Sequence, residues 1–69
     1  MLFDIVELEL HNPNMTPAEC AEEAQSFLGQ HEYDDEFAMI DSINAATDCK
    51  VKVFAYYFAD GYTRATCGV

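Results

Sequence analysis

Lys50-Val-Lys-Val-Phe-Ala-Tyr-Tyr-Phe-Ala59, then Asp60-Gly61, then Tyr62-Thr-Arg-Ala-Thr-Cys67, is the stretch that decides the fold. Two runs rich in β-branched and aromatic residues flank an Asp-Gly link, the pattern of a β-hairpin with a type I′ turn. A lone hairpin is marginal in water, so the rest of the chain must supply a layer to pack on it. The Lys50–Ala59 run is the more apolar one and is expected at the centre of the sheet.

The hairpin has two unequal faces. A two-residue link puts Val51, Val53, Ala55, Tyr57 and Ala59 on one face with Tyr62, Arg64 and Thr66. Phe54, Tyr56 and Phe58 share the other with Thr63, Ala65 and Cys67. Aromatic surface is left in water whichever face is covered, and a bulge near Val53 would reconcile part of the conflict.

Working outward, Met1–Leu10 reads as a first strand. Val6, Leu8 and Leu10 alternate with Glu7, Glu9 and His11. Phe3 and Ile5 fall out of that phase, which requires either cover on both sides or a bulge. Met15-Thr-Pro-Ala-Glu19 opens a helix, with Thr16 as N-cap, Pro17 at the first helical position, Glu19 closing a capping box and Met15 stapled to Cys20. Cys20, Ala21, Ala24, Phe27 and Leu28 form its apolar face, and Gly29 is expected to end it. Gln30–Tyr33 reads as a short connection. A second helix, capped by Asp34 or Asp35, runs to about Thr47 on a stripe of Phe37, Ile40 and Ile43, with Met39 or Ala46 at its margin. The order strand, helix, helix, strand, strand predicts an α+β domain, β-α-α-β-β. Both helices pack on one face of a three-stranded antiparallel sheet.

The chain has 69 residues, enough for one domain spanning 1–69. Thirteen acidic residues oppose three basic ones, for a formal charge of −10. Direct nucleic-acid binding runs on Lys and Arg, and so does docking on acidic lipid surfaces, so neither is expected. No apolar run is long enough to span a bilayer and no basic leader precedes one, so a cytoplasmic protein is expected. Cys20, Cys49 and Cys67 lack metal or redox spacing and read as small apolar side chains in a reducing compartment, a Cys49–Cys67 bridge being open only if the strand ends lie close. His11 and His31 stand near loops without a partnering nucleophile or acid. Gly29, Gly61 and Gly68 are isolated and cradle no phosphate. No cofactor, metal or catalytic constellation is legible, and an enzyme is not expected. Glu32, Asp34, Asp35 and Glu36 are the densest acidic group, but they lack the spacing of a calcium loop.

The acids cluster on the helices. Glu19, Glu22 and Glu23 lie on the outer face of the first; Glu32, Asp34, Asp35, Glu36 and Asp41 lie on or near the second. Set on one side of a sheet, these eight would form one acidic surface suited to a basic groove. The runs Glu19-Cys-Ala-Glu-Glu23 and Glu32-Tyr-Asp-Asp-Glu36, on so small a scaffold, resemble the phage-encoded anti-CRISPR and DNA-mimic inhibitors. That resemblance implies a host-cytoplasmic inhibitor bound to a Cas surface that normally holds DNA or guide RNA. The competing reading is a homodimer or protein-interaction module built on Tyr56, Tyr57, Phe58 and Tyr62.

Overall fold

The computed structural model describes residues 1–67, so Gly68 lies outside it. The elements run β1 (Leu2–His11), α1 (Pro17–Gln25), β2 (Gly29–Glu32), α2 (Glu36–Ala46), β3 (Lys50–Phe58) and β4 (Gly61–Thr66). The class is α+β, as expected, but the sheet has four strands and not three. Its order is β2-β1-β3-β4, every neighbouring pair antiparallel.

The extra strand is the expected connection after α1. Gly29–Glu32 holds no β-branched residue. It becomes a strand because β1 offers an unpaired edge, with Phe3 opposite His31 and Ile5 opposite Gly29. Tyr33 N–H extends the pairing by donating to the Met1 carbonyl at 2.8 Å. Gly29 does not end the helix. α1 stops at Gln25, with Ser26 as C-cap. The chain then tightens through bonds from Phe27 and Leu28 N–H to the carbonyls three residues back. Gly29, at φ +109°, instead turns the chain into β2.

Two bulges decide which side chains go inside. One interrupts the β1–β3 ladder between Ile5 and Glu7, so Val6 drops out and is 44% exposed. Phe3, Ile5, Leu8 and Leu10 thereby share one face. The second lies between Glu9 and Leu10, opposite Lys52, and brings Val51 onto the face of Phe54 and Tyr56. Both phase conflicts in the sequence are resolved this way.

The hairpin turn differs from the expected one. No non-glycine residue has positive φ, so Asp60 cannot occupy a type I′ turn. Ala59 and Asp60 form the link and Gly61, at φ +139°, opens β4. Tyr57 therefore pairs with Tyr62 and Ala55 with Arg64, two residues from the register an Asp60-Gly61 link imposes. A slip of two preserves the faces, whereas a slip of one would have exchanged them.

α1 lies over β1 and α2 over β3. Both contribute to a single core, Cys20 and Ala24 from α1 and Met39 and Ile43 from α2, against Phe3, Ile5, Leu10, Val51, Phe54 and Tyr56. Both helices therefore cover the same face of the sheet. Phe3 anchors the aromatic end, with Tyr56 edge-on at 5.0 Å and Phe58 stacked at 4.9 Å. The expected helix stripes are partly corrected. Ala21 is exposed, and Phe27 and Leu28 pack on the core from beyond the end of α1. On α2, Met39 and Ile43 are fully buried and Ile40 half-buried, while Phe37 is 69% exposed and Ala46 also faces solvent.

Candidate functional site

The acidic residues are placed by local helix chemistry. Thr16 Oγ1 accepts from Glu19 N–H at 3.2 Å, and Glu19 Oε1 accepts from Thr16 N–H at 3.0 Å, closing the capping box. These bonds to the Thr16 backbone and hydroxyl hold the Glu19 carboxyl below its ordinary pKa. Asp35 caps α2, accepting from Ala38 N–H at 2.8 Å. Glu36 Oε2 accepts from Tyr56 Oη at 2.8 Å. Burial, and then this carboxylate, raise the Tyr56 pKa. Three of the eight expected site residues thus have their carboxylates engaged within the fold. Glu22, Glu23, Glu32, Asp34 and Asp41 are exposed, and none of the five enters an ion pair among the described residues.

Seven of the eight lie on the helical side, in two groups. Glu19, Glu22 and Glu23 belong to α1, and Glu23 shares a hollow with Asp48 beyond the C-terminus of α2. Asp34, Asp35 and Glu36 gather at the N-terminus of α2, with Asp41 along the same helix. Glu32 is on the edge strand β2. Its partner there is Leu2, on the face away from the helices, and at the rim Glu32 lines a hollow with Asp34, Ala38 and Ser42.

The basic residues divide from the acids. Lys50, Lys52 and Arg64 are the only Lys and Arg of the chain, and all lie on β3 or β4. Lys50 pairs with His11, and Arg64 stands across Ala55 from Glu7, both on the helix-free face; Lys52 sits in the bulge with no partner in the ladder and lines a hollow with Glu9, Pro17 and Cys20. Arg64 Nη2 contacts Glu7 Oε1 at 2.9 Å and Lys52 Nζ contacts Glu9 Oε1 at 3.7 Å. Glu7 and Arg64 flank Ala55 on the neighbouring strands, so their bridge passes over it. Ala55 is fully buried on a face without a helix for that reason. The helices and the turns flanking them, by contrast, carry Glu19, Glu22, Glu23, Asp34, Asp35, Glu36, Asp41 and Asp48 and no Lys or Arg.

The four aromatic residues of the competing reading are split. Tyr56 and Phe58 turn toward the helices, whereas Tyr57 and Tyr62 stand on the open face, each 52% exposed with ring centroids 5.1 Å apart. The apolar stripe of α2 predicts Phe37 in the core; it instead projects from the acidic side of the helix, one turn before Asp41. The signal that would have found it is the apolar spacing of Met39 and Ile43, which places Phe37 outside the buried arc.

The thiols of Cys20, Cys49 and Cys67 are free. Cys49 Sγ lies 3.6 Å from Met15 Sδ; burial, and then the Cys20 thiol beside it, push the Cys49 pKa up. His31 is half-buried between Phe27 and Tyr33, and its Nε2 has no protein partner. Among the described residues no three His, Cys, Asp or Glu side chains converge as metal ligands would. None of the described helices is long and apolar enough to cross a membrane. No protein-family model, characterised protein or solved structure matches the chain.

Proposed function

We propose that this chain is a non-enzymatic inhibitor that occupies a basic, nucleic-acid-binding surface of another protein through its helical side. A Cas subunit in a bacterial cytoplasm is the target class the acidic runs suggest. The observation that carries the reading is the segregation of charge. Eight carboxylates lie on the helices and the turns flanking them, which hold no Lys or Arg, whereas Lys50 and Arg64 lie on the other face of the sheet and Lys52 leaves it at a bulge, paired with Glu9. A charge balance serving solubility alone has no reason to sort itself by layer. Glu22 and Glu23 follow Glu19 by three and four residues, spacings that put their Cβ atoms roughly 5–6 Å from that of Glu19. A duplex presents one charge per about 1.7 Å of axis, so a groove lined with Lys and Arg would accept the helical side as a coarse substitute. Phe37, exposed amid the acids, supplies an apolar anchor of the kind that concentrates binding energy.

The test is competition. A panel of Cas effectors and other DNA-binding proteins is challenged with the purified chain, and retention of labelled duplex is measured. Inhibition is expected to weaken steeply as salt rises, because exposed charges beyond about 8 Å are screened near 0.15 M. Asp35 and Glu36 make poor probes, since each supports the fold. Glu22→Gln, Glu23→Gln, Asp34→Asn and Asp41→Asn together are expected to abolish inhibition, and Phe37→Ala to weaken it at least about tenfold. Inhibition that survives the quadruple change rules the reading out.

A further inference from the structure

We propose that the helix-free face of the sheet is the contact surface of a homodimer, two copies packing face to face and turned end for end. This inference stands apart from the inhibitor reading, because it uses none of the helical carboxylates.

The face is built in rows across the strands. At one end His11 pairs with Lys50, and the next row holds Glu9 and Val53 with Lys52 in the bulge beside them. The middle row is Glu7, Ala55 and Arg64. The following row is Gln30, Asp4, Tyr57 and Tyr62, and the far end is Glu32 and Leu2. Tyr57, Tyr62 and Leu2 are each 52% exposed. A cluster of two tyrosines and a leucine on a sheet with no layer over it is surface of the type that interfaces cover.

Charge selects the occupant. The middle of the face is already neutralised by the Glu7–Arg64 bridge. One end is basic, with Lys50 and, from the bulge, Lys52 against Glu9; the other is acidic, with Asp4 and, at the rim beside α2, Glu32. A second copy turned end for end sets the lysine end of each copy over the Asp4 and Glu32 end of the other. The two-fold relation makes every such contact twice. Contact between helical sides would instead oppose eight carboxylates with eight, so repulsion over the rest of the surface directs self-association to this face.

Size sets the strength. Strands about 4.8 Å apart, with residues rising about 3.3 Å each, give a four-stranded face at the lower end of stable interfaces. A weak dimer, assembling between about 10 µM and about 1 mM, is therefore expected.

Sedimentation of the full chain from about 10 µM to about 1 mM tests this. The mass is expected to move from 7.8 kDa toward twice that value. Tyr57→Ala with Tyr62→Ala is expected to weaken the dimer at least about tenfold while leaving far-UV circular dichroism unchanged. Lys50→Glu with Lys52→Glu is expected to weaken it as well. Adding Asp4→Lys and Glu32→Lys to that pair is expected to restore it, because the swap re-establishes opposite ends. A monomer throughout the range overturns the proposal. So does a dimer indifferent to the tyrosines, which would point to pairing along the β4 edge or to helical contacts, and so does a charge swap that fails to restore association.

Discussion

Single side chains here do more structural work than their positions in the sequence suggest. Tyr56 is the clearest instance: its ring packs on Phe3 and its hydroxyl donates to Glu36, joining β3 to the first turn of α2. Tyr56→Phe keeps the packing and removes the bond, and is expected to cost about 1 kcal/mol in urea unfolding. The Tyr56 pKa is raised, so the fold favours the protonated phenol. Its contribution is complete below the ordinary tyrosine value of about 10 and is lost as pH rises through the raised one. The gap between wild type and Tyr56→Phe should accordingly close in strong alkali. Glu19 has the opposite sign. Its lowered pKa means a contribution present above the ordinary glutamate value of about 4.3 and lost as pH falls through the lowered one. Glu19→Gln keeps a side-chain oxygen for the capping box and removes the charge. The wild-type advantage over Glu19→Gln, measured by urea midpoints from about pH 6 to about pH 3, should shrink toward zero at the acid end.

At the scale of elements, the parts fixed by local chemistry were legible and the parts fixed by pairing were not. Thr16, Pro17 and Glu19 announce α1, and the Asp34-Asp35 pair announces α2, with Asp35 as the observed cap, because a cap is a bond between residues three apart. The bulges could be anticipated as phase conflicts at Phe3–Ile5 and near Val53, since a period of two cannot otherwise bury both Ile5 and Leu8. β2 was invisible, because Gly29-Gln-His-Glu32 has no strand propensity and exists only where β1 leaves an edge open. The hairpin register was misplaced by two residues, because the Asp60-Gly61 pair suits two different turns and only the observed φ values separate them. Gly29 carries the cost of recruiting β2. An added Cβ would meet nothing within 4 Å, so the demand is purely on φ, at +109°. Gly29→Ala is expected to destabilise by about 1–3 kcal/mol. Amide exchange should place the loss first at Tyr33, whose N–H bond to Met1 depends on β2 staying paired.

For the molecule as a whole, the question is what ten net negative charges are for. The acidic clusters were legible as runs, but their separation from Lys50, Lys52 and Arg64 was not. That separation depends on which sheet face the helices cover. Charge of one sign opposes folding through self-repulsion, and salt relieves it. The melting temperature should therefore rise between about 20 mM and about 500 mM NaCl. Neutralising Glu22, Glu23, Asp34 and Asp41, whose carboxylates make no bond or ion pair among the described residues, should raise it at low salt and flatten the salt dependence. A binding surface and a solubility device then part company. If the helical carboxylates serve a basic partner, the same quadruple variant gains stability and loses inhibition, the usual opposition between a site and its scaffold. If they serve only to keep the chain dispersed, it gains stability, keeps every binding property, and differs from wild type in precipitating at lower concentration. Thermal melts, the competition assay and a solubility limit on one purified variant separate the two.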